Sequence, residues 1–106
     1  MAEEIIVLIT VTSKDEAGRI GTALVNEHIA ACVNILPQIR SLFFWDGKTQ
    51  DENEMLMIVK SRLSQLDRII ARVKELHSYT VPEVIAIPII GGSPEYLHWL
   101  KDSTQG

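Results

Sequence analysis

The chain has 106 residues, 46% of them hydrophobic and 23% charged, and its formal net charge is −4. This length predicts a single domain over residues 1–106, and the composition is that of a globular protein and excludes a disordered chain. The acidic balance, without any run of basic residues, argues against nucleic acid or an anionic membrane surface as a partner.

The predicted elements begin with a strand and a helix. Residues 5–11 are a continuous apolar, largely β-branched run, which is typical of a buried strand. Ser13 and Glu16 have the spacing of a capping box, in which the Ser13 hydroxyl accepts a backbone N–H and Glu16 reaches back to the N-cap. We therefore predict a helix over about residues 14–28, with one apolar face packed on a sheet.

A long hairpin comes next. Residues 30–45 and 49–60 are strand-like, and Asp46 and Gly47 between them form a pair that favours a tight hairpin turn with positive φ. Each arm is about a dozen residues long, or roughly 40 Å at strand rise, which exceeds what a four-stranded core needs. We therefore predict that the arms extend past the core and pair across subunits.

A second helix, a fourth strand and a short terminal helix complete the chain. The second helix is predicted over about residues 65–77, with Ser64 in the N-cap position, and the fourth strand over residues 83–89. Ser93 and Pro94 are predicted to be the N-cap and the first residue of the last helix. The order β-α-β-β-α-β plus a terminal helix is the ferredoxin-like α+β plan.

The predicted sheet has an excess of apolar side chains. In this plan both main helices cover one face, yet residues 5–9 and 84–89 are apolar at both strand parities, and residues 42–45 add an apolar run. A monomer rarely exposes such a face, so the sequence predicts that a second copy of the chain covers it. The alternative is a generous core with the terminal helix as its lid.

The compartment is predicted from the cysteine content and the apolar runs. Cys32 is the single cysteine, which excludes an internal disulfide and favours the cytoplasm. The acidic start of the chain, followed by a short apolar run, does not match a secretory signal. No apolar run approaches the roughly 20 residues of a membrane helix. The sequence therefore predicts a cytoplasmic protein with no membrane partner.

Five sequence segments carry a family resemblance: AACVN at 30–34, WDGK at 45–48, Lys60, HSYTVPE at 77–83 and YLHWL at 96–100. In these segments, and over nearly its whole length, the chain resembles the CutA divalent-cation-tolerance proteins. The resemblance implies a homotrimer of ferredoxin-like subunits, similar in architecture to the nitrogen-signalling PII proteins. It further implies a link to tolerance of copper and other divalent metals, and no established catalytic activity.

The same resemblance indicates metal ligands. It points to His77 and Glu83, and more weakly to Cys32, as the residues that would bind a divalent metal such as copper or zinc. Some family members have a further cysteine where this chain has Ile9, so only weak binding is expected. The alternatives are that His77 is held by the helix dipole and a loop hydrogen bond, with Glu83 as a structural partner, and that Cys32 is an inert buried thiol.

Three functions are compatible with these residues. The first is a metal-responsive trimer that binds a divalent cation in clefts between subunits. The second is a PII-like small-molecule sensor or adaptor, and the third is a structural scaffold. The chain contains no GxSxG, P-loop, GxGxxG or HExxH motif, so it is predicted not to be an enzyme.

Overall fold

The computed structural model describes residues 3–105; residues 1, 2 and 106 of the predicted domain lie outside the described range. Its elements in chain order are β1 (Glu4–Val11), α1 (Lys14–Asn26), β2 (Cys32–Trp45), β3 (Lys48–Arg62), a 3₁₀ turn (Leu63–Gln65), α2 (Leu66–Leu76), β4 (Val84–Pro88) and α3 (Pro94–Ser103). The predicted α+β order is confirmed. Within the described range, none of the helices has the length and apolar character needed to span a membrane.

The four strands form one antiparallel sheet in the order β2-β3-β1-β4. The central strand β1 pairs with β3 on one side and β4 on the other, so that Ile9 lies opposite both Met57 and Val84. Alternate residues of β1 are buried beneath α1 and α2, as the period of a strand requires. The core they form includes Val7, Ile9, Val11, Ile20, Leu24, Met57, Val59, Ile69 and Val73.

The start of α1 matches half of the predicted capping box. The Ser13 hydroxyl accepts the Glu16 N–H at 3.1 Å. The Glu16 carboxylate does not return to the N-cap but binds the preceding residue, Thr12, at 2.9 Å. The helix ends at Asn26 rather than at His28, because His28 takes up a left-handed backbone conformation, with φ of 60°.

The start of α2 differs from the prediction, whereas α3 starts at the predicted residue. Ser64 does not cap α2; it lies in the 3₁₀ turn, and its hydroxyl binds Glu3 Oε1 at 2.9 Å. Ser93 and Pro94 do occupy the N-cap and first positions of α3, but the Ser93 side chain makes no capping hydrogen bond. Neither helix therefore begins with a hydroxyl cap: α2 continues directly from the 3₁₀ turn, and α3 begins at Pro94, whose fixed φ suits the first helical position.

The hairpin reverses as predicted. Asp46 and Gly47 have φ of 55° and 76°, the left-handed pair of a tight hairpin turn. The β2–β3 pairing runs from Cys32 opposite Lys60 to Trp45 opposite Lys48, with one register shift between Leu36 and Ile39. Because β1 reaches only to Met55 of β3, the outer part of the hairpin extends beyond the sheet core and stretches the molecule to 44 × 25 × 23 Å.

The sheet face opposite α1 and α2, here called the open face, presents Ile6, Leu8, Leu36, Ile85 and Ile87. The terminal helix α3 covers part of it: α3 contacts β1 and β3, and Arg62 of β3 donates to Thr104 Oγ1 at 2.9 Å. Ile85 and Ile87 nevertheless stay 53% and 47% exposed. The terminal helix is therefore only a partial lid.

Candidate functional site

A cleft of about 1090 Å³ lies between the outer hairpin and the loop that joins α2 to β4. Its walls combine aromatic, acidic and basic side chains, which come from elements far apart in the sequence; the basic ones are Arg40, which is paired with Asp51, and Lys48. The aromatic ones are Phe43, Phe44, Trp45 and Tyr79, and the acidic ones include Glu52, Glu54 and Glu83. The hairpin supplies most of the lining, while Tyr79 and Glu83 come from the α2–β4 loop.

Two carboxylates of the cleft influence one another. Glu54 is only 5% exposed, and the Tyr79 hydroxyl donates to its Oε2 at 3.3 Å. Partial desolvation, together with the negative charge of Glu54, raises the pKa of Glu83. Desolvation and the same carboxylate also raise the pKa of Tyr79. A positive charge placed between Glu54 and Glu83 would therefore be stabilised, although Lys48 gives the cleft a basic group of its own.

His77 lies directly after α2 with its side chain buried. Its Nε2 is 2.7 Å from the Thr10 carbonyl oxygen. Thr10 directly follows the last residue of β1 that pairs with β4. Because a carbonyl only accepts, Nε2 carries the proton, and Nδ1 accepts the Tyr79 N–H at 2.9 Å. Both ring nitrogens therefore have backbone partners, and a metal would have to displace one of them.

Glu16 is the residue of this region that the sequence did not indicate as functional. It is 2% exposed; its Oε1 accepts from the Thr12 N–H and hydroxyl, and its Oε2 accepts the Ser78 N–H at 2.7 Å. Burial alone would raise the pKa of Glu16, but these hydrogen bonds outweigh it and lower the pKa. The capping spacing identified Glu16 as a helix residue, yet nothing local predicts its bond to Ser78.

Cys32 lies at the other end of the sheet. It is paired with Lys60, whose Nζ is 3.9 Å from the Cys32 sulfur, and Lys60 is paired with Ile6. The cleft lies near Thr10, four residues farther along β1, or about 13 Å at strand rise. His77 and Glu83 thus belong to one loop, and Glu83 lines the cleft, whereas Cys32 lies apart from both. No three His, Cys, Asp or Glu side chains within residues 3–105 gather into a group that could hold a metal ion.

These features define a class of protein: a ferredoxin-like α+β subunit with a cleft that is lined by acidic and aromatic side chains. Residues 5–103 match the family model described as "CutA1 divalent ion tolerance protein", and the chain belongs to this family. The resemblance noted in the sequence is therefore confirmed.

The relatives agree with this assignment. The chain is 48% identical over 101 residues to "Protein CutA 1, chloroplastic" of Oryza sativa, matching 95% of this chain and 57% of that protein. It is 46% identical to the "Divalent-cation tolerance protein CutA" of Thermus thermophilus, over 95% of this chain and 98% of that protein. The chain thus spans little more than half the length of the rice relative, and likewise 56% of the Arabidopsis one.

The fold agrees as well. A solved structure of the divalent cation tolerance protein from Thermus thermophilus superposes with a TM-score of 0.94 at 46% identity. The match covers 96% of this chain and 99% of the other. The ferredoxin-like plan predicted from the order of the elements is thereby confirmed.

Proposed function

We propose that the chain is a non-catalytic homotrimer that contributes to divalent-cation tolerance by binding the cation weakly in the cleft. The observation that carries this proposal is that Glu54 and Glu83 line the same cleft, where desolvation together with the charge of Glu54 raises the pKa of Glu83. A bound cation would relieve the repulsion between the two carboxylates. With two carboxylates and no third ligand assembled among the described residues, the site would be weak.

The chemistry of the donors limits the choice of cation. Carboxylates suit hard and borderline divalent ions, and for any given set of oxygen and nitrogen ligands Cu²⁺ is the first-row divalent ion bound most tightly. Copper or zinc is therefore proposed as the cargo, with Glu83 as a ligand. The distance of Cys32 from the cleft favours Cu²⁺ over Cu⁺, which prefers sulfur.

Assembly is proposed from the open face. Ile85 and Ile87 remain half exposed after α3 has packed, and Leu42, Phe44 and Trp45 are exposed on the hairpin. Exposed apolar surface at both places is typical of an interface. A second copy of the chain would cover it, and the number three rests on the resemblance to the CutA family.

The absence of catalysis and the cytoplasmic location are also proposals. A thiol–imidazole pair is the nearest approach to a catalytic group in the composition, but Cys32 lies beside Lys60 and His77 beside Thr10. A free cysteine in the described chain suits a reducing compartment. Catalysis by these two residues would require direct contact between them, but the sheet holds them apart.

The first test is Glu83→Gln. We expect the dissociation constant for Cu²⁺ to rise at least about 10-fold, because the amide keeps the size of the side chain but removes the ligand's charge. Isothermal titration with Cu²⁺ measures the effect, and native mass spectrometry reports the assembly. The control is Glu75→Gln, which makes the same change on the exposed side of α2. An unchanged affinity in Glu83→Gln would remove the cleft from the proposal.

The same titration tests the other two predicted ligands. His77→Ala and Cys32→Ser are compared with the wild type under identical conditions. A direct ligand would lower the metal stoichiometry or affinity without loss of the trimer, and we expect Cys32→Ser to leave both unchanged because of its distance from the cleft. Weaker Cu²⁺ binding in Cys32→Ser would place a second metal site at the opposite end of the sheet.

A second candidate function, a PII-like small-molecule sensor, is favoured by the size of the cleft. Its volume of about 1090 Å³ is far more than one cation fills, and four aromatic rings line it. Rings of this kind suit a flat organic ligand. Native mass spectrometry of the protein as purified from cells would distinguish the two, since a bound metabolite adds a mass that no metal ion has.

A further inference from the structure

The loop of residues 77–83, between α2 and β4, supplies five residues to the lining of the cleft without helix or strand to hold it. Tyr79 and Glu83 are two of the five. We infer that Glu16, a residue of α1 that does not line the cleft, is the positioning residue that anchors the loop at Ser78 and thereby holds Tyr79 against Glu54 in the cleft. The inference rests on the proposed function and names a residue on which that site depends.

The buried carboxylate of Glu16 anchors the loop because its two oxygen atoms bind different segments of the chain. Oε1 of Glu16 accepts from the Thr12 N–H at 2.9 Å and from the Thr12 hydroxyl at 3.1 Å. Oε2 accepts from the Ser78 N–H at 2.7 Å, although the two residues are 62 positions apart. The carboxylate therefore bridges the β1–α1 turn and the loop directly after α2. Hydrogen bonds to an ionised acceptor are among the stronger ones in proteins.

Further contacts, made by His77 and Tyr79, connect the anchored loop to the cleft. His77 binds the Thr10 carbonyl through Nε2 and the Tyr79 N–H through Nδ1, so the residues on both sides of Ser78 are fixed as well. The Tyr79 ring packs at 5.1 Å from the His77 ring, and its hydroxyl donates to Glu54. Glu16, Ser78, Tyr79 and Glu54 thus form a continuous series of contacts from the buried side of the sheet to the cleft.

The chemistry requires a carboxylate at this point. The groups that hydrogen-bond to Glu16 are donors, among them the Thr12 N–H and hydroxyl and the Ser78 N–H, and the His77 Nε2 lies 3.9 Å from Oε1. A carboxylate only accepts, whereas an amide of the same size would direct its own donor at one of them. Glu16→Gln is therefore expected to lose its hydrogen bonds either to Thr12 or to Ser78, while the volume of the side chain stays the same.

The experiment compares Glu16→Gln with Glu27→Gln, which makes the same change at the exposed end of α1, where Glu27 binds Arg72. Amide hydrogen exchange of Ser78 and Tyr79 is followed by NMR, Cu²⁺ affinity by isothermal titration, and assembly by native mass spectrometry. We expect faster exchange at both amides and a dissociation constant for Cu²⁺ about 10-fold higher in Glu16→Gln alone. The titration is made at a temperature where circular dichroism shows both variants fully folded, so a residue that only stabilises the fold would leave the affinity unchanged.

The outcomes separate this inference from the proposed function. If the wild type does not bind Cu²⁺, the proposed function fails, whereas faster exchange of Ser78 and Tyr79 in Glu16→Gln still supports the anchoring. If the wild type binds Cu²⁺ and Glu16→Gln retains both its affinity and its exchange rates, the inference is overturned. Should Glu16→Gln not fold, the wild type alone decides: a slow Ser78 amide supports the anchor, and a Ser78 amide that exchanges at the rate of a free peptide refutes it.

Discussion

Replacement of Ile87 by aspartate is expected to abolish assembly and to destabilise the subunit together with it. Ile87 lies opposite Ile6 on the open face and is 47% exposed in the isolated subunit, so a partner can bury it. An unpaired carboxylate buried in such a contact costs several kcal/mol, which opposes assembly. Native mass spectrometry and urea unfolding of the same sample measure the two effects.

The matched control for this prediction is Val25→Asp. Val25 is 39% exposed on α1, so its apolar surface is comparable, but it belongs to a helix rather than to the open face. We expect Val25→Asp to keep the proposed trimer and to lower stability by no more than about 1 kcal/mol, the cost of a carboxylate in the last turn of α1, where it opposes the helix dipole. A folded, soluble monomer of Ile87→Asp would mean that the open face is not an obligate contact.

The second large effect is expected from Glu16→Ala. Truncation leaves the Thr12 N–H and hydroxyl and the Ser78 N–H without the buried acceptor they share. Hydrogen bonds to a charged group contribute about 1.5–3 kcal/mol each, but Thr12 and Ser78 are exposed residues, so water replaces part of what is lost and the free energy of unfolding should fall by about 2 kcal/mol at neutral pH. Urea unfolding followed by circular dichroism provides the measurement.

The pH dependence of this effect has a definite sign. The folded protein lowers the pKa of Glu16 from its ordinary value of 4.5, because the Thr12 and Ser78 hydrogen bonds outweigh desolvation. The contribution of the carboxylate is therefore fully present above that value and is lost as the pH falls through the folded pKa. The stability difference between the wild type and Glu16→Ala should narrow between pH 7 and about pH 3. A difference of equal size at both pH values would show that the charge of Glu16 does not matter.

Most of the fold could be predicted because its signals are local. The buried strand, the Asp46-Gly47 turn and the apolar stripe of α2 depend on neighbours in the sequence, and each lies where the sequence indicated. The helix ends were less accurate for a physical reason. The left-handed backbone conformation of His28, which ends α1, cannot be predicted from its residue type. Ser64 binds Glu3, which is distant in the sequence, instead of capping α2.

The candidate site was predictable only in part. The loop of residues 77–83 was identified by its motif, and the structure brings its Glu83 into the cleft. The contributions of Glu16 and Glu54 depend on contacts between segments that are distant in the sequence, which no local spacing reveals. Cys32 shows what the strand register adds: the family resemblance indicated it as a weak ligand, the register separates it from the cleft, and its role as a ligand stays a prediction.

The outer hairpin has a consequence for how the protein matures. Beyond Met55 the two arms pair only with each other, and a ribbon of two strands is marginally stable in water on its own. With assembly as proposed, the arm becomes fully ordered only when another subunit supports it, so the last step of folding requires an encounter between chains. The protein's resistance to heat and denaturant then depends on its concentration, and dilution weakens it without altering any residue.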